Sequence, residues 1–557
     1  MKRFLYIFVI LSALLSSAHA KVYWYNATSL TGGGTSALDA INGQNLINND
    51  KCIVVTASGQ TYSYNLDSDS ALTESSPGVI SPDSNAGDKR WILMWKGDRI
   101  AIPDSTIDQG DNSVVGTIAW HIANASGASC DVRILEGTYD VTTNIEVPIT
   151  MLLRPDKGGI LDGSGALQIN SVFNPGEFQV FGSSMVATFK IGGTTEIHPE
   201  WWGPFPNGAN DVSGVLNKAI AASDLVGTSD GFADANIIVR PGRYYIAHNS
   251  VSTITTNFYA PKAYFIAVDN VVTAGVLLTF DFTESGNKRI DIGNIYGKDV
   301  LTDTAHYNIG MDVIGGDSAF VRIGALSGLY IGIRFLGSTN DEHVGMWDFE
   351  IDTILGCDYG IYATTGTTAG KAFEANTFRI RYASYCREWI VNLDTTTANS
   401  EVLFSNTFRF GTVEMHAFAD HNGFRLAGSA TISNRIFVDG ALIPPTGSGY
   451  ILSLSDSASD NLFELSWLDW AKVYHTGGYN IFRQSSNHNT SYPALLTNNF
   501  GRSVISYTSI PTGLNFPWRK GDLCWNPDAG SGDVLLWACT ASGTGAGSTW
   551  LVAITLP

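Results

Sequence analysis

Between Val321 and Leu465 one apolar–polar–apolar phrase returns about every 28 residues, and this return constrains the fold more than any other feature of the chain. It reads Val321/Ile323, Phe349/Ile351, Phe378/Ile380, Phe408/Phe410, Ile436/Val438 and Phe463/Leu465, in steps of 28, 29, 30, 28 and 27. A second lane, Ile333, Ile361, Ile390, Phe424 and Ile451, keeps nearly the same beat. In four repeats an asparagine stands two residues before the first apolar position: Asn376, Asn406, Asn434 and Asn461.

A period of 20 to 50 residues belongs to solenoids, propellers and arrays. Here the inner alternation of two marks strands, and two or more strands within 28 residues leave room only for turns. Each repeat therefore reads as one coil of a parallel β-helix. The competing leucine-rich repeat is excluded, because its helical segment and L-x-x-L-x-L consensus are absent. Like strands stack about 4.8 Å apart, so equivalent side chains form columns: apolar ones inside, asparagines bonded to their neighbours above and below at a bend.

Residues 1–20 carry Lys2 and Arg3, an apolar run from Phe4 to Leu15 and then Ala18-His19-Ala20, the pattern of a cleaved secretory leader. The run is too short to span a bilayer, so the expectation is an exported, extracellular or cell-surface protein with no membrane insertion after cleavage. Losing Lys2 and Arg3 takes the formal charge from −19 to −21. Such a balance speaks against nucleic acid, whose phosphates require a basic face. It also repels an anionic glycan unless local arginines or a bound cation offset the field. Charged residues make up 15% of the chain, against about 25% in typical domains, while 58 glycines mark a turn-rich, all-β chain.

Six cysteines in 557 residues are too few for a disulfide scaffold. Cys357 and Cys386 each lie eight residues past the first apolar position of their coil, so they should stack, either bridged or as two buried thiols. Cys524 and Cys539 fall on neighbouring expected strands and are a second candidate pair.

The solenoid is flanked by other segments, and the expected organisation is a leader at 1–20, a small β-rich domain at 21–102, a short first β segment with a helix cap at 103–203, the main β-helix at 204–507 and a small aromatic module at 508–557. Two copies of one phrase open the β segments. Gly116-Thr-Ile-Ala-Trp-His leads to Val132-Arg-Ile-Leu-Glu-Gly137-Thr-Tyr139, and Gly214-Val-Leu-Asn-Lys-Ala leads to Ile237-Ile-Val-Arg-Pro-Gly242-Arg-Tyr244. Each reads as an amphipathic helix, a strand and a glycine turn, with the helix hiding the open edge of the first coil. In the last segment Trp518, Trp525, Trp537 and Trp550 are either sugar-stacking faces or, more plainly, the core of a very small domain.

The boundary phrase Pro199-Glu-Trp-Trp-Gly203, followed by Asn210-Asp211, a short Ala-rich helix and the P-G-x-Y turn, resembles the pectate lyase superfamily, in particular its branch shared with phage tailspikes. The resemblance spans about Asp111 to Tyr507 and implies a right-handed single-stranded parallel β-helix. Segments 38–41, 76–83 and 89–93 resemble an N-terminal module that precedes such β-helices in bacterial and phage-derived surface proteins. The last segment resembles an appendage found on secreted and tail-associated β-helices.

If Phe349 and Ile351 point inward, Glu350 and Asp352 point outward, as do Arg379 with Arg381, Arg409, Asp439 and Glu464. Glu350, Arg379 and Arg409 then occupy successive rungs. The resemblance implies that such a charged wall binds an extended polysaccharide. Two carboxyl groups would serve glycoside hydrolysis, with Asp439 and Glu464, or Glu350 and Asp352, as the candidate pairs. Polysaccharide β-elimination instead needs a base such as Arg379 or Arg381, beside carboxylates that hold Ca²⁺ against the substrate's uronate. No other cofactor is implied. The plainer alternative is ordinary cross-strand charge pairing. Glu414 and His416 replace Ser384 and Cys386 one coil later and form a further candidate binding site, with an exposed bulge as the plainer alternative. The polygalacturonase set N-T-D, D-D, G-H-G and R-I-K is absent, and Arg379-Ile-Arg381 only echoes its last member. The expected function is that of a secreted polysaccharide lyase or glycoside hydrolase, or of a non-catalytic glycan-binding surface protein. A homotrimer is compatible with the tailspike resemblance.

Overall fold

The computed structural model describes residues 23–555 except 33, 56–60, 75, 86, 95–98, 102–103, 115, 126–129, 204–209, 227–233, 269–274, 284–286, 298–305, 337–343, 365–371, 397–401, 416–420, 446, 456–457, 467–471, 476–479, 485–494, 499–501, 507–516, 519–522, 526–533, 542 and 545–548. The leader read at 1–20 lies outside them. The chain falls into two compact units, 1–194 and 195–557.

The first unit begins with a five-stranded sheet. Lys51–Val55, Thr61–Asp67 and Arg90–Leu93 are its middle strands, with Trp24–Ala27 and Val79–Ile80 at the edges. Its core is built on Cys52, Val54, Tyr64, Leu66 and Trp91, all fully buried, and burial alone pushes the Cys52 thiol up to about 12. Further along, Cys130–Ile134 pairs in parallel with Met151–Pro155, Gly137–Asp140 with Gly159–Asp162, and Ile145–Val147 with Ala166–Ile169. These three short parallel walls make a small β-helix of its own.

The two copies of the opening phrase fold alike. Gly137 and Gly242 sit at φ 144° and 159°, a region that side chains with a Cβ rarely enter. Two residues on, Tyr139 donates to the Leu135 carbonyl at 3.1 Å, and Tyr244 to the Arg240 carbonyl at 2.9 Å. Each copy also carries an aspartate that clamps the turn. Asp108 accepts from the amides of Gly110, Thr142 and Thr143, and Asp211 from those of Ser213 and Ala247. Burial alone would raise the Asp108 carboxyl, but these hydrogen bonds outweigh it and hold the group down to about 2. Because the folded value lies below the ordinary 3.8, the contribution is present above about pH 4 and is lost as pH falls toward 2. Amide exchange at Thr142 and Thr143 is therefore expected to accelerate over that window and, in Asp108→Asn, to be fast throughout. Equal protection in the variant at neutral pH would refute the clamp.

The second unit opens on the turn Pro199–Trp202, whose Trp201 and Trp202 are buried. Glu200 Oε1 accepts from the Arg240 amide at 3.0 Å and from the Tyr244 hydroxyl at 2.5 Å, so the P-E-W-W-G and P-G-x-Y phrases are two halves of one hydrogen-bonded joint. Helix Ser213–Ser223 buries Leu216, Ala219 and Ile220 and lies against the first rung, Glu196–Ile197 and Asn236–Ile238. From there the chain winds into a right-handed parallel β-helix of three walls. The first wall runs through Phe258–Ala267, Arg289–Tyr296, Phe320–Ser327, Asp348–Leu355, Thr377–Ser384, Thr407–Glu414, Arg435–Val438, Leu462–Leu465 and Ile481–Gln484. The second follows each of its coils, from Gly275–Phe280 to Val473–His475, and the third is made of strands of two or three residues.

The first apolar lane stacks as the spacing requires: Ile290, Val321, Phe349, Phe378, Phe408, Ile436, Phe463 and Phe482 are register partners in turn. The Phe349 and Phe378 rings lie 4.4 Å apart at 6°, and those of Phe378 and Phe408 4.6 Å apart at 11°. The second lane differs from expectation at two rungs. Val391, not Ile390, continues Ile361, and Leu452, not Ile451, continues Phe424. Both members of each apolar doublet are buried, so hydrophobicity could not tell which one stacks, and a slip of one residue changes the face of every neighbour.

The asparagines form a continuous ladder at the bend before the first wall. Asn376 Nδ2 donates to Asn406 Oδ1, Asn406 to Asn434, Asn434 to Asn461 and Asn461 to Asn480, each at 3.0–3.1 Å. The residues preceding four of them, Ala375, Ser405, Ser433 and Asp460, all stand at φ 55–58°. That left-handed conformation costs about 1–2 kcal/mol for a residue with a Cβ, and the ladder's buried bonds offset it.

Cys357 and Cys386 are two buried thiols with no bridge. Burial raises both, Cys357 to about 12. In the C-terminal sheet, Leu523–Trp525 and Val534–Ala541 place Cys524 opposite Trp537 rather than Cys539, so the pairing read from sequence is corrected by two residues of register. Trp537 joins the hydrophobic core; the side chains of Trp518, Trp525 and Trp550 lie outside the described set.

Candidate functional site

The central strands of the first wall, Asp348–Leu355, Thr377–Ser384 and Thr407–Glu414, have eight residues each and share one burial order: two inward apolar residues separated and followed by more exposed ones, then a bend. The outward column reads Asp291, Arg322, Glu350, Arg379, Arg409, Phe437 and Glu464 in successive register. Glu350, Arg379 and Arg409 are thus neighbours, as expected. Two residues on, the bend position is glycine at Gly293, Gly324 and Gly411, Asp352 and Arg381 in the two coils between, and Asp439 in the coil after.

The arginines here already have carboxylate partners. Arg379 pairs with Asp348, which raises its guanidinium further. Arg381 lies 3.5 Å from Asp352, and Arg409 3.5 Å from Asp439 and over the Phe437 ring. These side chains are 40–73% exposed, and ion pairs in water contribute about 1 kcal/mol or less. Their place on the wall is not needed for stability. In register, Phe437 stands between Arg409 and Glu464. Glu414 stacks on Ser384 and accepts from the Tyr382 hydroxyl at 2.7 Å. Burial and Glu414 together raise that phenol. His416 lies outside the described residues.

No Ca²⁺ cradle fits this lane: Asp348, Asp352 and Asp439 each face a guanidinium, and among the described residues no three His, Cys, Asp or Glu side chains converge on one point.

The second wall carries a column that the sequence reading missed: Thr279, Asp312, Arg334, Tyr362, Asn392, Arg425, Ser453 and Tyr474, of which Asp312, Asn392 and Ser453 are buried beneath their neighbours. Arg334 grips Asp312 through two hydrogen bonds of 2.8 and 2.6 Å, and Arg425 reaches Asp394 at 2.6 Å and Asn392 at 3.2 Å. Burial raises the Asp312 carboxyl against the pull of Arg334. Tyr359 packs on Tyr330 at 5.7 Å and on Tyr362 at 5.2 Å, with its phenol raised first by burial and then by Glu388. In the turn that leads into this wall, Asp358 is fully buried and accepts from His306 Nδ1 at 2.9 Å, the His306 amide at 3.3 Å and Arg387 Nη2 at 3.0 Å. The signal was present in the alternation Ile333-Arg334-Phe335 through Phe424-Arg425-Leu426. Taking Ile390 as the stacked residue turned Asn392 inward and broke the column.

No family model and no curated protein matches this chain. Among solved structures it is similar to the tailspike protein gp49 of Acinetobacter baumannii bacteriophage Fri1, described as a capsular polysaccharide depolymerase, with 12% identity over 96% of this chain and 92% of that one and a TM-score of 0.14. A likeness at that score carries no argument about how this chain works.

Proposed function

We propose that this is an exported polysaccharide-active protein of the pectate-lyase-like kind, which holds an extended glycan along an outer wall of the β-helix and cleaves it as a lyase or glycoside hydrolase. The observation that carries this reading is the pair of columns of mainly polar and aromatic side chains, seven and eight rungs long, on a rigid parallel scaffold. A repeating lattice of donors, acceptors and rings at a fixed spacing suits a repeating polymer, and side chains on strands hold position better than side chains on loops. Incubation with neutral and acidic polysaccharides is expected to release reducing ends, and new ultraviolet absorbance from an unsaturated uronate would single out a lyase. Glu350→Ala, Arg379→Ala and Asp439→Ala test the first-wall lane: loss of release without unfolding would place the chemistry there, and unchanged turnover would remove that lane from the site.

A second reading, a non-catalytic glycan-binding or adhesive surface protein, is favoured by one observation: Asp348, Asp352 and Asp439 on the first wall each face a guanidinium. A partner of that kind favours the carboxylate form, which accepts hydrogen bonds but is a poor proton donor for glycoside hydrolysis. Retention on glycans with no release of ends would decide for this reading.

A further inference from the structure

We infer that the glycan lies on the second wall, across the strip formed by Tyr330, Tyr359, Tyr362 and the Arg425–Asp394 pair, and that it is a neutral polysaccharide. The inference rests on the polysaccharide reading above and adds to it a place and a substrate class.

Three observations support it. The strip joins aromatic faces to fixed polar groups: Tyr359 packs between Tyr330 and Tyr362, and Arg425 is held by both Asp394 and Asn392. Aromatic rings suit the apolar faces of pyranoses, while the held guanidinium and carboxylate offer donors and acceptors to sugar hydroxyls. The groups are also half-buried, with Arg334 and Arg425 side chains 22% and 27% exposed against 51–73% for the first-wall arginines, so less side-chain freedom is lost on binding. Finally, the charges balance. Arg334, Arg387 and Arg425 face Asp312, Asp358 and Asp394, and Glu388 adds a further carboxylate. Among the described residues of the strip no surplus cation remains for a polyanion, and the whole chain is at −19. A polymer of hydroxyls without carboxylates or sulfates meets no repulsion there.

The test uses the full-length protein in affinity electrophoresis through soluble neutral polysaccharides (glucans, mannans and galactans) and through polygalacturonate and alginate. Retardation by at least one neutral polymer is expected, with the apparent affinity falling about tenfold or more in Tyr330→Ala and in Tyr359→Ala. Tyr359→Phe, which keeps the ring, should stay near wild type. It serves as the folded reference, and the denaturation midpoint of each alanine variant reports its folding. Retardation by the uronate polymers alone would overturn the inference. So would neutral binding that survives both alanine substitutions but is lost in Glu350→Gln or Arg379→Ala; in either case the polysaccharide reading stands. Retardation by no polymer would overturn both.

Discussion

Asn406→Ala is expected to destabilise the β-helix by about 3 kcal/mol or more, read as a fall in the denaturation midpoint. Asn406 is fully buried and central to the ladder. Its Oδ1 accepts from the Asn376 amide at 3.1 Å and Asn376 Nδ2 at 3.0 Å, and its Nδ2 donates to the Phe373 carbonyl at 2.8 Å and Asn434 Oδ1 at 3.0 Å. Alanine removes all four bonds and leaves buried donors and an acceptor without partners, each costing about 1–3 kcal/mol. It also strips support from Ser405 at φ 58°. Asn406→Asp should be no better, because the carboxylate cannot donate to Phe373 or Asn434. A loss under 1 kcal/mol for the alanine variant would mean that the coils are held by side-chain packing alone and that the ladder is a consequence of stacking rather than a cause.

The ladder shows what a single sequence makes visible. Asn376, Asn406, Asn434 and Asn461 repeat in identity as well as in period, so their stacking was readable, and Asn480 extends them. Phe349, Phe378 and Phe408 were readable for the same reason: each is a lone apolar residue between polar ones, and only one register buries it. The doublets Ile390-Val391 and Ile451-Leu452 carry no such information. Nor does sequence reveal ion pairing across coils, since the partner of Arg409 is Asp439, a coil later, while that of Arg379 is Asp348, a coil earlier. The candidate lane on the first wall was therefore legible as a column but not as a set of pairs. The second-wall strip was obscured by one misassigned isoleucine, and the buried cluster at Asp358 has no local signal, because His306 and Arg387 lie 52 and 29 residues away.

That cluster gives the other large effect. Asp358→Ala is expected to cost about 3 kcal/mol of stability and to weaken glycan retention together, because the residue joins the entry of the second wall to two neighbouring coils. Its carboxylate is fully buried and receives His306 Nδ1, the His306 amide and Arg387 Nη2. Removing one member of a buried charged pair costs about 3–5 kcal/mol, since the other is left without compensation. Arg387 keeps a third of its side chain in water and recovers part of that loss, which places the effect at the lower end. The next residue is Tyr359, whose backbone amide bonds to the Tyr330 carbonyl at 2.8 Å, so a shifted turn moves the proposed stacking ring. Asp358→Asn keeps one acceptor for Arg387 and the volume of the side chain, and should lose less on both counts. If Asp358→Ala lowered the midpoint as expected but left retention on a neutral polysaccharide unchanged at a temperature where it is folded, the cluster would be a structural joint only, and the glycan would have to lie away from Tyr359.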